Sequence, residues 1–148
     1  MPHTYVSAAV HCVFSTKNRV HGLPGKILPD LWSYIGGIAR ANAMKALAVG
    51  GTDNHAHVLL TIPAIVSIAH AVQLIKGGSS KWLHDEHHVS CNWQEGYGAF
   101  TIGASQIPPT IQYIQSQPEH HRNVSFEDEF LAFLKKNGID YDPKFVMG

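Results

Sequence analysis

The sequence predicts an α+β fold: a ferredoxin-like βαββαβ antiparallel sheet with a C-terminal helical extension carrying a tyrosine. Three observations lead there. Four short segments alternate apolar and other residues with a period of two, and two longer segments between them carry apolar stripes at helical spacing. The second and third strand segments are joined by a glycine- and asparagine-rich turn, while the other pairs are separated by helices. That order is the split βαβ arrangement, in which two helices cover one face of the sheet and leave the other free.

Taken in order, Tyr5 to Ser15 reads as the first strand, with Val6, Ala8, Val10, Cys12 and Phe14 on one face and Ser7, Ala9, His11, Val13 and Ser15 on the other. A loop through Lys17-Asn18-Arg19 and Gly22-Leu23-Pro24-Gly25 leads to a helix from Pro29 to Ala43, striped by Leu31, Ile35, Ile38 and Ala39. Lys45 to Val49 is the second strand, residues 50–54 the hairpin turn, and His55 to Ile62 the third strand, closed by Pro63. A second helix spans Val66 to His84, and its Gly77-Gly78 pair predicts a kink or a close backbone approach. Tyr97 to Gly103 is the fourth strand. The extension holds a short helix from Pro109 to Gln117 and another from Phe126 to Lys136, stopped by Asn137-Gly138.

A chain of 148 residues fits one domain, 1–148, and can bury roughly 70% of its unfolded surface. Cys12 and Cys91 match no metal spacing or disulfide framework, and Cys12 reads as a small core residue. With no apolar run of 18 residues and no charged leader followed by an apolar stretch, the expectation is a cytoplasmic protein without a membrane partner. The 11 Lys and Arg balance the 11 Asp and Glu, so net charge does not select a nucleic-acid binder. The distribution does leave a local basic surface: Lys17, Arg19 and Lys26 precede the first acid, Asp30, whereas Glu127, Asp128 and Glu129 collect near the C-terminus.

The chemistry centres on His55-Ala56-His57. Residues i and i+2 of a strand share a face roughly 7 Å apart, and two imidazoles so placed can converge on one divalent ion. Since Ala56, Val58, Leu60 and Ile62 would face the helices, the histidines would point to the free face, giving a solvent-open site. Downstream, Tyr113 is a candidate nucleophile on the short helix after a Pro-Pro break, and Gln117, four residues on, would share its helix face. A glutamine carbonyl oxygen is a usable third metal ligand, and the metal would polarise a phosphate oxygen beside the phenol.

In these and neighbouring segments the chain resembles the single-tyrosine HUH transposases of insertion sequences and their REP-associated relatives. The likeness runs in order through His11-Cys12-Val13-Phe14-Ser15-Thr16-Lys17-Asn18-Arg19, Asn54-His55-Ala56-His57-Val58-Leu59-Leu60, Leu74-Ile75-Lys76-Gly77-Gly78-Ser79-Ser80, Gln94-Glu95-Gly96-Tyr97-Gly98-Ala99-Phe100, Tyr113-Ile114 with Gln117, and Glu119-His120-His121 into Phe126-Glu127-Asp128-Glu129-Phe130. The resemblance implies a metal-dependent single-stranded DNA transposase, a homodimer, hairpin-ended DNA and a covalent 5′-phosphotyrosine intermediate. It matches His55, His57 and Gln117 to the ligands of Mg²⁺ or Mn²⁺ and Tyr113 to the nucleophile, and more loosely sets Lys17, Arg19 and Lys76 against DNA. Pro118 biases Gln117 away from helical geometry. Two other readings stand beside this one: a domesticated, non-catalytic hairpin-binding protein of the same fold, and a histidine-metal protein that binds no DNA. The expected homodimer would pair fourth-strand edges, bury Phe100 and Ile102, and set Tyr113 of one subunit beside the histidines of the other.

Overall fold

The computed structural model describes residues 3–148. Strands β1 (Ala9–Ser15), β2 (Lys45–Thr52), β3 (His55–Thr61) and β4 (Gly98–Ile102) form one antiparallel sheet in the order β2-β3-β1-β4. Helices α1 (Leu28–Ala41) and α2 (Ile68–His87) connect them, and α3 (Ile107–Gln115), α4 (Gln117–His120) and α5 (Phe126–Lys136) follow β4. This is the expected ferredoxin-like topology. Among the described residues no helix is long and apolar enough to cross a membrane.

The main core lies between the sheet and α1 and α2. Val10, Cys12, Phe14, Ala56, Val58, Leu60 and Ile62 meet Leu31, Ile35 and Ala39 of α1 and Ala71, Val72, Ile75 and Leu83 of α2. The alternation of β3 thus sorts as its sequence requires. Of the Gly77-Gly78 pair, Gly78 gives close approach without a break: α2 is continuous, and a Cβ on Gly78 would lie 2.7 Å from Ile38 Cδ1 of α1, whereas Gly77 faces open space. Ser67 caps α2 by accepting from the His70 N–H.

Several boundaries shift for reasons of pairing. The first strand starts at Ala9, opposite Thr61, because β3 ends before Pro63 and leaves the preceding residues without a ladder; Tyr5 is 89% exposed. Gly50 and Gly51 belong to β2 rather than to the turn, which shortens to Asp53-Asn54; a Cβ on Gly51 would sit 2.1 Å from His55 O. The tyrosine helix ends at Gln115. Pro118 instead starts α4 in its first turn, so Gln117 does not share Tyr113's helix.

The largest departure concerns the second face of the sheet, which is covered rather than free. Ile114 of α3 packs on Ala9, Ala48 and Leu59. Phe126, Phe130 and Leu134 of α5 pack on Val13 and Phe100. Phe100 is therefore buried within its own chain, without the strand pairing between subunits expected to cover it.

Candidate metal and tyrosine site

His55 and His57 project from β3 toward the helical extension, as their period of two requires. Opposite His57 on β2 stands Gly50, where a Cβ would lie 2.5 Å from Ile114 O. That missing side chain lets the α3 backbone settle on the sheet. The Tyr113 ring then comes within 5.8 Å of the His57 ring and stacks on Phe133 of α5. Tyrosine and histidines thus meet within one chain.

Gln117, at the start of α4, arrives at the same place from its own helix. Its Oε1 lies 2.8 Å from His55 Nε2 and its Nε2 donates to Glu129 Oε2 over 3.1 Å. Both histidines and Gln117 are fully enclosed at 0% exposure, so the expectation of a solvent-open metal site is overturned: the α3–α5 extension seals it. Solvent reaches Tyr113 instead through a cavity of about 560 Å³ between β4, α3 and α5, lined by His11, Tyr113, His120, Glu129, Phe133 and Lys136 among others.

Three residues outside the expected ligand set complete the cluster: Glu129, His11, and His121, which the sequence suggests packs on or bonds the tyrosine helix. Glu129 of α5 lies at its centre: His57 Nε2 is 2.9 Å from Oε1, and the Tyr113 hydroxyl donates to Oε2. His121 Nε2 lies 3.1 Å from Glu129 Oε1 but off the line a hydrogen bond needs. His11 of β1 meets His57 Nδ1 through its Nε2 at 2.8 Å. Both had a signal. Glu129 is an acid on the stripe Phe126, Phe130, Phe133, Leu134, where an amphipathic helix should be apolar. His11 lies diagonal to His57 across the β1–β3 ladder, in which Val13 pairs with His57.

The electrostatics follow from enclosure. Burial, helped by neighbouring His57, pushes His11 and His55 down to about 3, so both are neutral imidazoles at pH 7. Burial alone would raise the Glu129 carboxyl. The imidazoles of His121 and His57 and the Tyr113 hydroxyl outweigh it and hold Glu129 well below the usual carboxylate range. Burial and then the adjacent Glu129 push the Tyr113 phenol above its ordinary 10, so it is protonated at neutral pH.

Donor counting shows that the cluster suits a cation. Asn54 Nδ2 donates to Arg19 O, which turns Asn54 Oδ1 toward His55 Nδ1 at 2.9 Å. The Thr52 hydroxyl also lies 3.0 Å from His55 Nδ1; with the proton of neutral His55 on Nδ1, shared between Asn54 and Thr52, the Nε2 lone pair faces the Gln117 carbonyl oxygen at 2.8 Å. In that tautomer two acceptors are in contact, and together with the buried Nε2 of His121, which lacks a hydrogen-bond partner, they form a ligand set that could hold a divalent ion.

The residues expected against DNA lie elsewhere. Lys17 is exposed beside Arg19, which reaches Glu127 at 3.7 Å and Met147 O at 3.5 Å. Lys76 Nζ contacts the carbonyls of Gln94, Glu95 and Gly96 at 2.5, 3.2 and 2.9 Å, which uses its three donors to hold the segment before β4.

Comparison with known proteins agrees with this architecture. The family described as "Transposase IS200 like" matches residues 4–117, from β1 through Gln117. A structure from Deinococcus radiodurans R1, described as a candidate transposase, superposes with a TM-score of 0.60 at 23% identity, covering 79% of this chain and 96% of that one. A REP-associated tyrosine transposase bound to a REP hairpin superposes with a TM-score of 0.59 at 16% identity, covering 84% of this chain and 74% of that one. No curated protein matches the chain.

Proposed function

This chain belongs to the IS200-like transposase family, and on that footing we propose that it cleaves and rejoins single-stranded DNA through a covalent 5′-phosphotyrosine formed on Tyr113. One observation carries the reading: the Tyr113 hydroxyl and the His55, His57 and Gln117 set converge in one buried cluster whose donor count suits a divalent cation. His55, His57 and Gln117 would hold Mg²⁺ or Mn²⁺. Such an ion supplies Lewis-acid polarisation of a phosphate oxygen.

The chain's own residues account for the rest. Phe133 stacks on the Tyr113 ring and fixes its direction. The hydroxyl, protonated at rest, donates to Glu129 Oε2, which orients it, and His120 Nε2 at 3.3 Å is within reach as an acceptor for its proton. As the phenol oxygen gives up its proton and bonds to phosphorus, the phosphorus–3′-oxygen bond breaks, and the leaving 3′-oxygen takes up a proton, from that acceptor or from water, to become a 3′-hydroxyl. Attack by such a hydroxyl on the phosphotyrosine rejoins strands and returns the phenol. The phosphoester is conserved, which removes any need for a nucleotide triphosphate. Hairpin-ended DNA is the proposed substrate, supported by the REP hairpin held by the superposable transposase. A homodimer is proposed with each active site complete in one chain.

The enclosure of His55 and His57 favours one second reading, a non-catalytic hairpin-binding protein of this fold. End-labelled, hairpin-bearing single-stranded DNA with MnCl₂ separates the two. Cleavage to a fragment with a free 3′-hydroxyl supports the transposase. Binding that weakens with salt, without cleavage, supports the second reading.

A further inference from the structure

Glu129 comes from α5, far in sequence from the histidine strand, yet its carboxylate lies at the centre of the cluster. We infer that Glu129 and His121 belong to the metal's ligand set, and that the Glu129 carboxylate bridges the metal and the Tyr113 hydroxyl. The inference rests on the proposed metal site and extends it to two residues beyond the His55, His57 and Gln117 set.

The two carboxylate oxygens divide the neighbours between them. Oε1 faces ring nitrogens: His57 Nε2 at 2.9 Å, His121 Nε2 at 3.1 Å and His55 Nε2 at 3.7 Å. Oε2 faces the nucleophile side: the Tyr113 hydroxyl, Gln117 Nε2 at 3.1 Å and His120 Nε2 at 3.4 Å. The carboxylate thus stands between three imidazole nitrogens on one oxygen and the phenol on the other.

The spacing agrees. Adjacent ligands of an octahedral ion, each about 2.1 Å from it, lie about 3.0 Å apart. The separations of 2.8, 2.9, 3.1 and 3.7 Å among Gln117, His55, His57, His121 and Glu129 fall around that value. One ligand atom from each of His55, His57, His121 and Glu129 lies within 4.8 Å of the others. His121 Nε2 is the one buried side-chain nitrogen or oxygen lacking a hydrogen-bond partner among the described residues. It points into this group, and a metal bond would satisfy it.

A structural consequence follows. A metal held in part by Glu129 would tie α5 to the sheet and leave the cavity along β4 as the opening to Tyr113. Glu129 is then a positioning residue for Tyr113 as well as a ligand.

Calorimetric titration of the full chain with MnCl₂ tests this, using wild type, Glu129→Gln and His57→Ala. Hydrogen exchange at residues 126–136 in wild type, with and without MnCl₂, adds a measurement free of any folding defect in a variant. The expected results are Mn²⁺ affinity at least about tenfold weaker in Glu129→Gln, and slower exchange of the α5 amides when Mn²⁺ is present. Unchanged affinity in Glu129→Gln, or α5 exchange that Mn²⁺ leaves alone or hastens, overturns the inference. If His57→Ala still loses Mn²⁺ binding, the proposed metal site survives that result. If His57→Ala also binds normally, both fail.

Discussion

His11 Nε2 on β1 lies 2.8 Å from His57 Nδ1 on β3. The ring nitrogen of His57 that points away from the cluster is thus held by an imidazole from the neighbouring strand. Such a partner fixes ring orientation and tautomer, and removing one commonly weakens metal binding by about 10–100-fold. His11→Leu, close in volume but without ring nitrogens, is expected to keep the fold and lose Mn²⁺ affinity by about that factor in calorimetric titration. Affinity equal to wild type would make His11 a packing residue only.

The metal-free protein should be destabilised by mild acid. His11 and His55 sit near 3 when folded and near 6.5 when unfolded. Between those values the unfolded chain binds more protons, so stability falls as pH falls from 6.5 toward 3, by at most about 1.4 kcal/mol per pH unit for each histidine. Glu129, lowered on folding, acts in the same direction below its ordinary 4.5. The urea midpoint of the metal-free chain should therefore drop between pH 7 and pH 5 with an unchanged slope. Equal midpoints would show that these imidazoles are not buried neutral.

Gly50→Ala places a methyl group against the backbone of α3, 2.5 Å from Ile114 O. A backbone carbonyl cannot yield as a flexible side chain does, so α3 must shift. The expected cost is about 1–3 kcal/mol, with a loss of DNA cleavage larger than the loss of fold, because Tyr113 is next to Ile114. Far-ultraviolet circular dichroism and a cleavage assay on the same sample read both; full cleavage would mean that α3 does not depend on this contact.

The meeting of Tyr113 and His57 within one chain sets the outcome of a mixing experiment. Verified heterodimers of Tyr113→Phe and His57→Ala subunits should show no recovery of cleavage, since neither chain holds a complete site. Recovery would mean that tyrosine helices are exchanged between subunits.

The sheet was legible because the period-two pattern of β3 and the helical stripes of α1 and α2 are set by burial against one another, and both lie within short windows of sequence. His55 and His57 were legible for the same reason, since a strand fixes which side chains share a face. The enclosure was not. It depends on α5 folding back over the sheet, a long-range docking marked only by Glu129 on an otherwise apolar stripe. Gln117 was placed on the tyrosine helix by its spacing of four from Tyr113. Pro118 instead opened a new helix, and the amide reached His55 from there. Lys76 is set loosely against DNA by the resemblance alone; the three carbonyls that hold its ammonium are brought near only by the tertiary fold.

The central claim is that Tyr113 forms a covalent bond to DNA. Incubating the full chain with hairpin-bearing single-stranded DNA and MnCl₂, digesting it, and mapping the nucleotide-modified peptide by mass spectrometry tests that claim most directly. The account predicts a 5′-phosphonucleotide on the peptide containing Tyr113, absent from Tyr113→Phe under the same conditions. An adduct on another residue, an adduct that persists in Tyr113→Phe, or cleavage without any adduct would contradict it.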